Sequence, residues 1–373
     1  MKSLKMAGII GTILKSNVTR LNRPYKLNFS ITYWCQSRCT HCSIWQIRPK
    51  GELTLDEIKQ FAKQNGFFRW VELTGGEPFL RQDIVEIARA FNESCNGLYL
   101  LTMPTNSLCN YDMEIKKIEE IAKLGIPNVV ITVSLDGYRE LEDKIRGVPG
   151  NYDKAIRMYK GISELGKRYP NLIPTFGFTI INANAGQLER TVEEVRKEIP
   201  GINYTSFHVN VGQVSDNYYN NTTNPIAAPV ELAIKDVEFL LMNMRSVKEH
   251  GIAHMAKRFL EIKYMEGTLE FLQTKISPVP NRDGELSVFM DSYGTVFPSI
   301  MTSRKLGNIR QDGMSLEKIM AHSDLGLQKE NYYTPCESYQ SVLGSLFKLS
   351  LSGKKQVSVK AQKTSGEEIK SQE

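Results

Sequence analysis

Cys35-Gln36-Ser37-Arg38-Cys39-Thr40-His41-Cys42 sets three thiols in a CxxxCxxC spacing directly after the apolar run Leu27–Trp34. A [4Fe–4S] cluster is ordinarily held by four thiolates, so a compact loop with three leaves one iron open. An open coordination position marks a catalytic centre, whereas structural sites are closed. A zinc knuckle would need a second ligand pair, and no further CxxC occurs in the chain. Three unrelated core cysteines would not be expected so close together, with Gln, Ser and Arg between them.

About thirty residues on comes Val71-Glu72-Leu73-Thr74-Gly75-Gly76-Glu77-Pro78. A strand that ends in Gly-Gly lets its backbone approach a ligand closely, and Glu77 offers a carboxylate to an ammonium group.

The chain has 373 residues, 41% of them hydrophobic and 24% charged, with a formal net charge of +6. These are the proportions of an ordinary globular protein. The mild, diluted basic excess gives no reason to expect nucleic acid as a partner. The remaining cysteines, Cys95, Cys109 and Cys336, are scattered and form no disulfide framework, so a reducing cytoplasm is expected. Residues 1–25 begin with a short apolar run behind lysines. It lacks a small-residue cleavage site and is too short to cross a bilayer, which makes it an amphipathic surface segment. No other stretch reaches transmembrane length.

Thr54 and Glu57 form a capping-box pair that opens a helix. Strand-like and helix-like stretches then alternate about six times as far as Val211, which predicts βαβ crossovers and a parallel sheet with its ligands at the strand ends. The count fits a partial barrel or a doubly wound sheet. A polar, Asn- and Tyr-rich loop is expected between Val214 and Pro229, and two helices within 230–283. Asp291-Ser292-Tyr293-Gly294 sits between two short apolar strands, a hairpin signature. From about residue 349 the chain reads as a solvated, flexible tail.

CxxxCxxC after one strand and Gly-Gly-Glu-Pro after the next resemble the radical S-adenosylmethionine (radical SAM) superfamily. The resemblance implies an α/β fold, a partial (β/α)6 TIM-like barrel over residues 26–229, with a small α+β extension over 284–348. It implies that Cys35, Cys39 and Cys42 hold one [4Fe–4S] cluster and that Gly75, Gly76 and Glu77 bind the methionine ammonium of S-adenosylmethionine. It also implies reductive cleavage to a 5′-deoxyadenosyl radical that abstracts hydrogen, with ferredoxin or flavodoxin as electron donor. Ser134-Leu135-Asp136-Gly137 followed by Arg146-Gly147 is similar to a stretch of the family's peptide-modifying branch, where Ser and Arg contact S-adenosylmethionine. Asp136 is a further candidate there, for a ribose hydroxyl, although Asp-Gly also reads as an ordinary turn. Asn182 and Val209 fall on stretches that meet the sulfonium and adenine in the family. His41 is expected to pack beside adenine or cluster.

The hairpin, then Gly307-Asn308-Ile309 and Cys336, resembles a SPASM or twitch extension. Ser299 stands where that pattern carries a cysteine, so the module is expected to hold no metal. The extension favours a peptide or protein substrate. A small metabolite, cofactor precursor or lipid is the alternative, and a non-catalytic metal-binding scaffold is the reading from another class.

Overall fold

The computed structural model describes residues 2–248, 252–323 and 331–347, and side chains outside 252–254 within them; the expected tail from 349 lies outside the described residues. Helix α1 (Lys2–Val18) precedes an alternating series. It runs β1 (Lys26–Thr32), α2 (Leu55–Gln64), β2 (Trp70–Gly75), α3 (Ile84–Ser94), β3 (Leu100–Thr105), α4 (Tyr111–Ala122) and β4 (Asn128–Ser134). Next come α5 (Arg139–Arg146), α6 (Asn151–Arg168), β5 (Leu172–Ile180), α7 (Leu188–Glu198) and β6 (Phe207–Val211). Beyond them lie α8 (Val230–Ser246), α9 (Ile252–Thr274), β7 (Ser287–Met290), β8 (Thr295–Phe297), β9 (Gly307–Asn308), α10 (Leu316–His322) and α11 (Pro335–Leu343).

The sheet order is β6-β5-β4-β3-β2-β1-β7-β8-β9, parallel from β6 through β7. Strands β6 and β1 do not pair, so the six-stranded part is an open, partial TIM-like barrel rather than a closed one. Strand β4 shows how the chain builds it. Val129, Ile131 and Val133 are buried under the helices, while Val130, Thr132 and Ser134 alternate onto the other face, half-buried. Under α2 and α3 the helical side is packed by Phe29, Phe61, Phe68 and Phe91, with ring centroids 6.3–6.4 Å apart. The Thr54 capping box forms as the sequence predicts.

Arg146 lies on the last turn of α5, where Gly147, at φ +66°, ends the helix in the left-handed conformation. The small α+β segment 284–348 adds to the barrel sheet: β7 runs parallel to β1 from Lys26↔Ser287 to Phe29↔Met290. A pairing across some 260 residues has no local signature, which hides it from periodicity. Asn65, fully buried, stitches the same junction. Its Nδ2 donates to Phe61 O (2.7 Å) and Met314 O (2.8 Å), and its Oδ1 accepts from Leu316 N (2.9 Å).

Helices α9 and α11 stand beside the gap between β6 and β1. Lys26, the first residue of β1, donates to Cys336 O on α11 (2.9 Å), and Tyr339 of α11 donates to Glu261 of α9 (2.6 Å) and bonds His208 of β6 (3.0 Å).

Asn65→Ala strands two buried backbone groups, Met314 O and Leu316 N, while Phe61 O keeps the main-chain N–H of residue 65, so we expect a loss of about 2–4 kcal/mol in urea unfolding. A loss under about 0.5 kcal/mol would show that this junction contributes little.

Candidate functional site

The cysteine loop has almost no regular structure and is held from two sides. Arg38 N donates to Arg146 O and Thr40 N to Ile145 O, both 2.9 Å, using carbonyls at the end of α5 that have no helical partner. On the other side Ser43 N donates to Tyr219 O (2.9 Å), Asn221 Nδ2 to His41 O (2.8 Å) and Asn224 Nδ2 to Thr40 O (2.9 Å). The 214–229 loop therefore straps the cysteine loop down.

All three thiols are free. Cys35 and Cys42 each feel the field of Cys39. Burial, with the Glu77 carboxylate and the Cys39 thiol adding to it, pushes Cys35 up to about 12, and burial pushes Cys42 up as well. Thiolates here need a strong positive partner, which the irons of a cluster would be. Donors to sulfur are in place: Arg146 Nη1 lies 3.4 Å from Cys39 Sγ and Asn106 Nδ2 3.6 Å from Cys35 Sγ, and Ser37 Oγ and Cys39 Sγ pair at 3.0 Å. Among the described residues, no three His, Cys, Asp or Glu side chains, these thiols included, are grouped to hold a single metal ion. By composition, three thiols on one loop are the donor set of a cluster with one iron left open.

Gly75 and Gly76 bring β2 against the base of this loop. An ideal Cβ on Gly75 would stand 2.1 Å from Thr32 O, and one on Gly76 2.3 Å from Trp34 O. Gly75 also takes φ +143°, which side chains rarely adopt. The close approach expected towards a ligand is thus, in the protein itself, an approach to the end of β1. Gly76 N donates to Thr32 O (2.7 Å) and Glu77 N to Trp34 O (2.8 Å). Glu77 is 1% exposed, its carboxylate accepting from Phe79 N (3.0 Å) and Asn106 N (2.7 Å). Burial, then the nearby Glu114, pushes its carboxyl up to about 8; burial pushes Glu114 up to about 7. An arriving ammonium would draw Glu77 back to the ionised form.

Asp136 is fully buried. Its Oδ1 accepts from Thr179 N (2.7 Å) and its Oδ2 lies 2.8 Å from Arg146 Nη2, so the carboxylate expected to meet a ribose is engaged inside the protein. Arg146 also meets Glu142 Oε1 at 3.3 Å, and the guanidinium ties Asp136, Glu142 and Cys39 together. His41 joins this group, with Nε2 3.8 Å from Asp136 Oδ2. Ser134 ends β4 half-buried on the inner face. Asn182 is exposed just past β5, lining a cavity of about 570 Å³ together with Arg38, Cys39, Cys42, Trp45 and Asn224. Val209 lies mid-strand in β6 at the sheet edge, its side chain buried. Sequence reasoning missed Asn106 and Glu142; Thr105-Asn106-Ser107 at the end of β3 was a polar strand end of the same kind as Ser134.

Glu72, Thr102, Thr132, Ser134, His208 and Asn210 occupy alternate positions of β2, β3, β4 and β6, all half-buried on the inner face. Barrel interiors are usually filled by branched apolar side chains. This one is polar-walled.

Residues 29–195 match the model of the radical SAM superfamily. Over that stretch, which is less than half of the chain, the protein is similar to this superfamily. Members of this superfamily are enzymes that bind a [4Fe–4S] cluster and S-adenosylmethionine. The chain is 29% identical to an AdoMet-dependent heme synthase of Methanosarcina barkeri over 51% of its own length and 52% of that protein's. It is 31% identical to a GTP 3′,8-cyclase of Haemophilus ducreyi over 41% and 48%. The chain thus spans about half the length of the curated relatives it matches. Streptococcus suis SuiB, in a crystal structure with S-adenosylmethionine, shares the radical SAM fold at TM-score 0.57 and 16% identity, across 85% of this chain and 69% of that one.

Arg146→Met leaves Asp136 and Glu142 buried without their cation, and should lower the stability of the metal-free chain by about 3–5 kcal/mol in urea unfolding. An unchanged midpoint would mean that Arg146 is not the counter-charge. Glu114 holds its proton more tightly folded than unfolded, so folding is favoured at low pH, and stability falls as pH rises from 4.5 to about 7. Glu114→Gln should flatten that slope in melting curves taken across the same window; a slope as steep as in the unaltered chain would reject the assignment.

Proposed function

We propose that this chain is a radical SAM enzyme in which Cys35, Cys39 and Cys42 hold one [4Fe–4S] cluster and the Gly75-Gly76-Glu77 turn receives S-adenosylmethionine. The observation that carries this reading is the juxtaposition at the ends of β1 and β2: three free thiols on a clamped loop, with the Glu77 carboxylate fixed by two backbone amides beside Cys35. When bound, the cluster supplies the electron that splits the C5′–S bond of S-adenosylmethionine, yielding a 5′-deoxyadenosyl radical that takes hydrogen from substrate. The protein supplies placement and exclusion of water. Glu77 takes the methionine ammonium, Ser134 and Asn182 approach the nucleoside from the ends of β4 and β5, and the main chain at Val209 on edge strand β6 faces adenine. Arg146 acts from behind the loop, holding the Cys39 sulfur. An external one-electron donor of ferredoxin or flavodoxin type is required.

A small polar molecule is the substrate class we favour. The polar-walled lumen, with α9 and α11 packed beside the β6–β1 gap, suits a compact ligand with several hydrogen-bonding groups. The heme synthase and GTP cyclase relatives point the same way by name. A peptide substrate is the second reading, supported by the β7–β8 hairpin followed by Gly307-Asn308-Ile309, as in SPASM extensions. In this chain Ser299 and Glu337 hydrogen-bond each other (3.1 Å) where that module would place thiol chemistry.

Reconstituted enzyme, reduced with dithionite and supplied with S-adenosylmethionine, should release 5′-deoxyadenosine. Glu77→Ala should cut that release on the order of a hundredfold with iron content unchanged. Cleavage at the full rate by this variant would overturn the assignment of Glu77.

A further inference from the structure

Helix α1 is apolar on two sides, and only one of them is used. Its inner side carries Ile9, and Ile13 packs on the cluster of Leu21, Tyr25 and Leu286. Polar bonds lock that side down: Arg69 Nε donates to Thr12 Oγ1 (2.8 Å), Arg282 Nη1 to Ser16 O (2.6 Å) and Asn17 Nδ2 to Leu343 O (2.7 Å). The outer side carries Leu4, Ala7, Gly11, Leu14 and Val18, spaced by threes and fours on one stripe, with Ile10 at its margin. Leu4 is 77% exposed, Val18 73%, Leu14 and Ile10 47% each. Phe347, 43% exposed, extends the patch at the end of the helix, its N–H donating to Asn17 Oδ1 (3.1 Å).

The charge of the helix selects the occupant. Lys2, Lys5 and Lys15 are its charged residues, and it contains no acidic residue. Arg20 and Arg23 follow within one to two turns. We infer that α1 lies on the surface of a membrane bearing anionic phospholipid, with Leu4, Leu14 and Val18 in the acyl boundary and Lys15, beside the stripe, among the headgroups. The length of 17 residues, about 25 Å, is that of an interfacial helix lying in the plane. No helix among the described residues is long and apolar enough to cross a membrane, so the contact is peripheral.

Co-sedimentation of the full chain with phosphatidylcholine vesicles, with and without phosphatidylserine, tests this. The chain should pellet with the phosphatidylserine vesicles and be released by high salt. Leu14→Asn and Val18→Asn should each weaken binding on the order of tenfold. These side chains face outward, so melting temperatures should not change. Lys15→Gln should weaken the preference for phosphatidylserine. Two results would overturn the inference: the chain remains in the supernatant with both vesicles, or light scattering shows a dimer that Leu14→Asn splits while vesicle binding is unaffected.

Discussion

Two amide hydrogen bonds, Gly76 N–H to Thr32 C=O and Glu77 N–H to Trp34 C=O, set the geometry on which the site depends. They form because neither Gly75 nor Gly76 has a Cβ; any side chain there would overlap carbonyl oxygens at the end of β1. With the two strand ends drawn together, Glu77 reaches the amide of Asn106 at the end of β3, and Asn106 in turn reaches Cys35. A backbone constraint on one strand thus places a carboxylate, an amide donor and a thiol around one volume.

Behind that volume lies a second arrangement of buried charge. Arg146 sits between Asp136, Glu142 and Cys39, and burial pushes Glu142 up to about 8 even with the cation alongside. Such a group costs desolvation energy and adds little stability over an apolar replacement. What it adds is position. The cysteine loop hangs from carbonyls at the end of α5, and Arg146 fastens both that helix end and a sulfur. The 214–229 loop holds the opposite flank of the loop, and Tyr218 of that loop bonds Thr74 (2.9 Å) and Gly75 O (3.2 Å). The backbone of the cysteine loop is therefore held on both flanks by the surrounding chain.

The parts of the site legible in the sequence are those written as short spacings. Cys35, Cys39 and Cys42 stand on one loop, Gly75 to Glu77 on one turn, and the alternation of strand and helix names the sheet. What stayed hidden is tertiary. Asn106 contributes chiefly a backbone amide, which any residue type would carry. Asp136 looked like a ligand for ribose because a strand end with Ser and Asp suits one, yet its partners, Thr179 and Arg146, lie 43 and 10 residues away and bury it. The joining of β7 to β1, and the placing of α11 next to the lumen, rest on contacts between distant segments that no local pattern records.

The central claim is that three thiolates bind a cluster and leave one iron for S-adenosylmethionine. Electron paramagnetic resonance of the anaerobically reconstituted, reduced protein tests it most directly. The account predicts about four irons per chain and a reduced [4Fe–4S] signal that changes when S-adenosylmethionine is added. Bound zinc in place of iron, or a cluster signal indifferent to S-adenosylmethionine, would contradict it and favour a structural metal site.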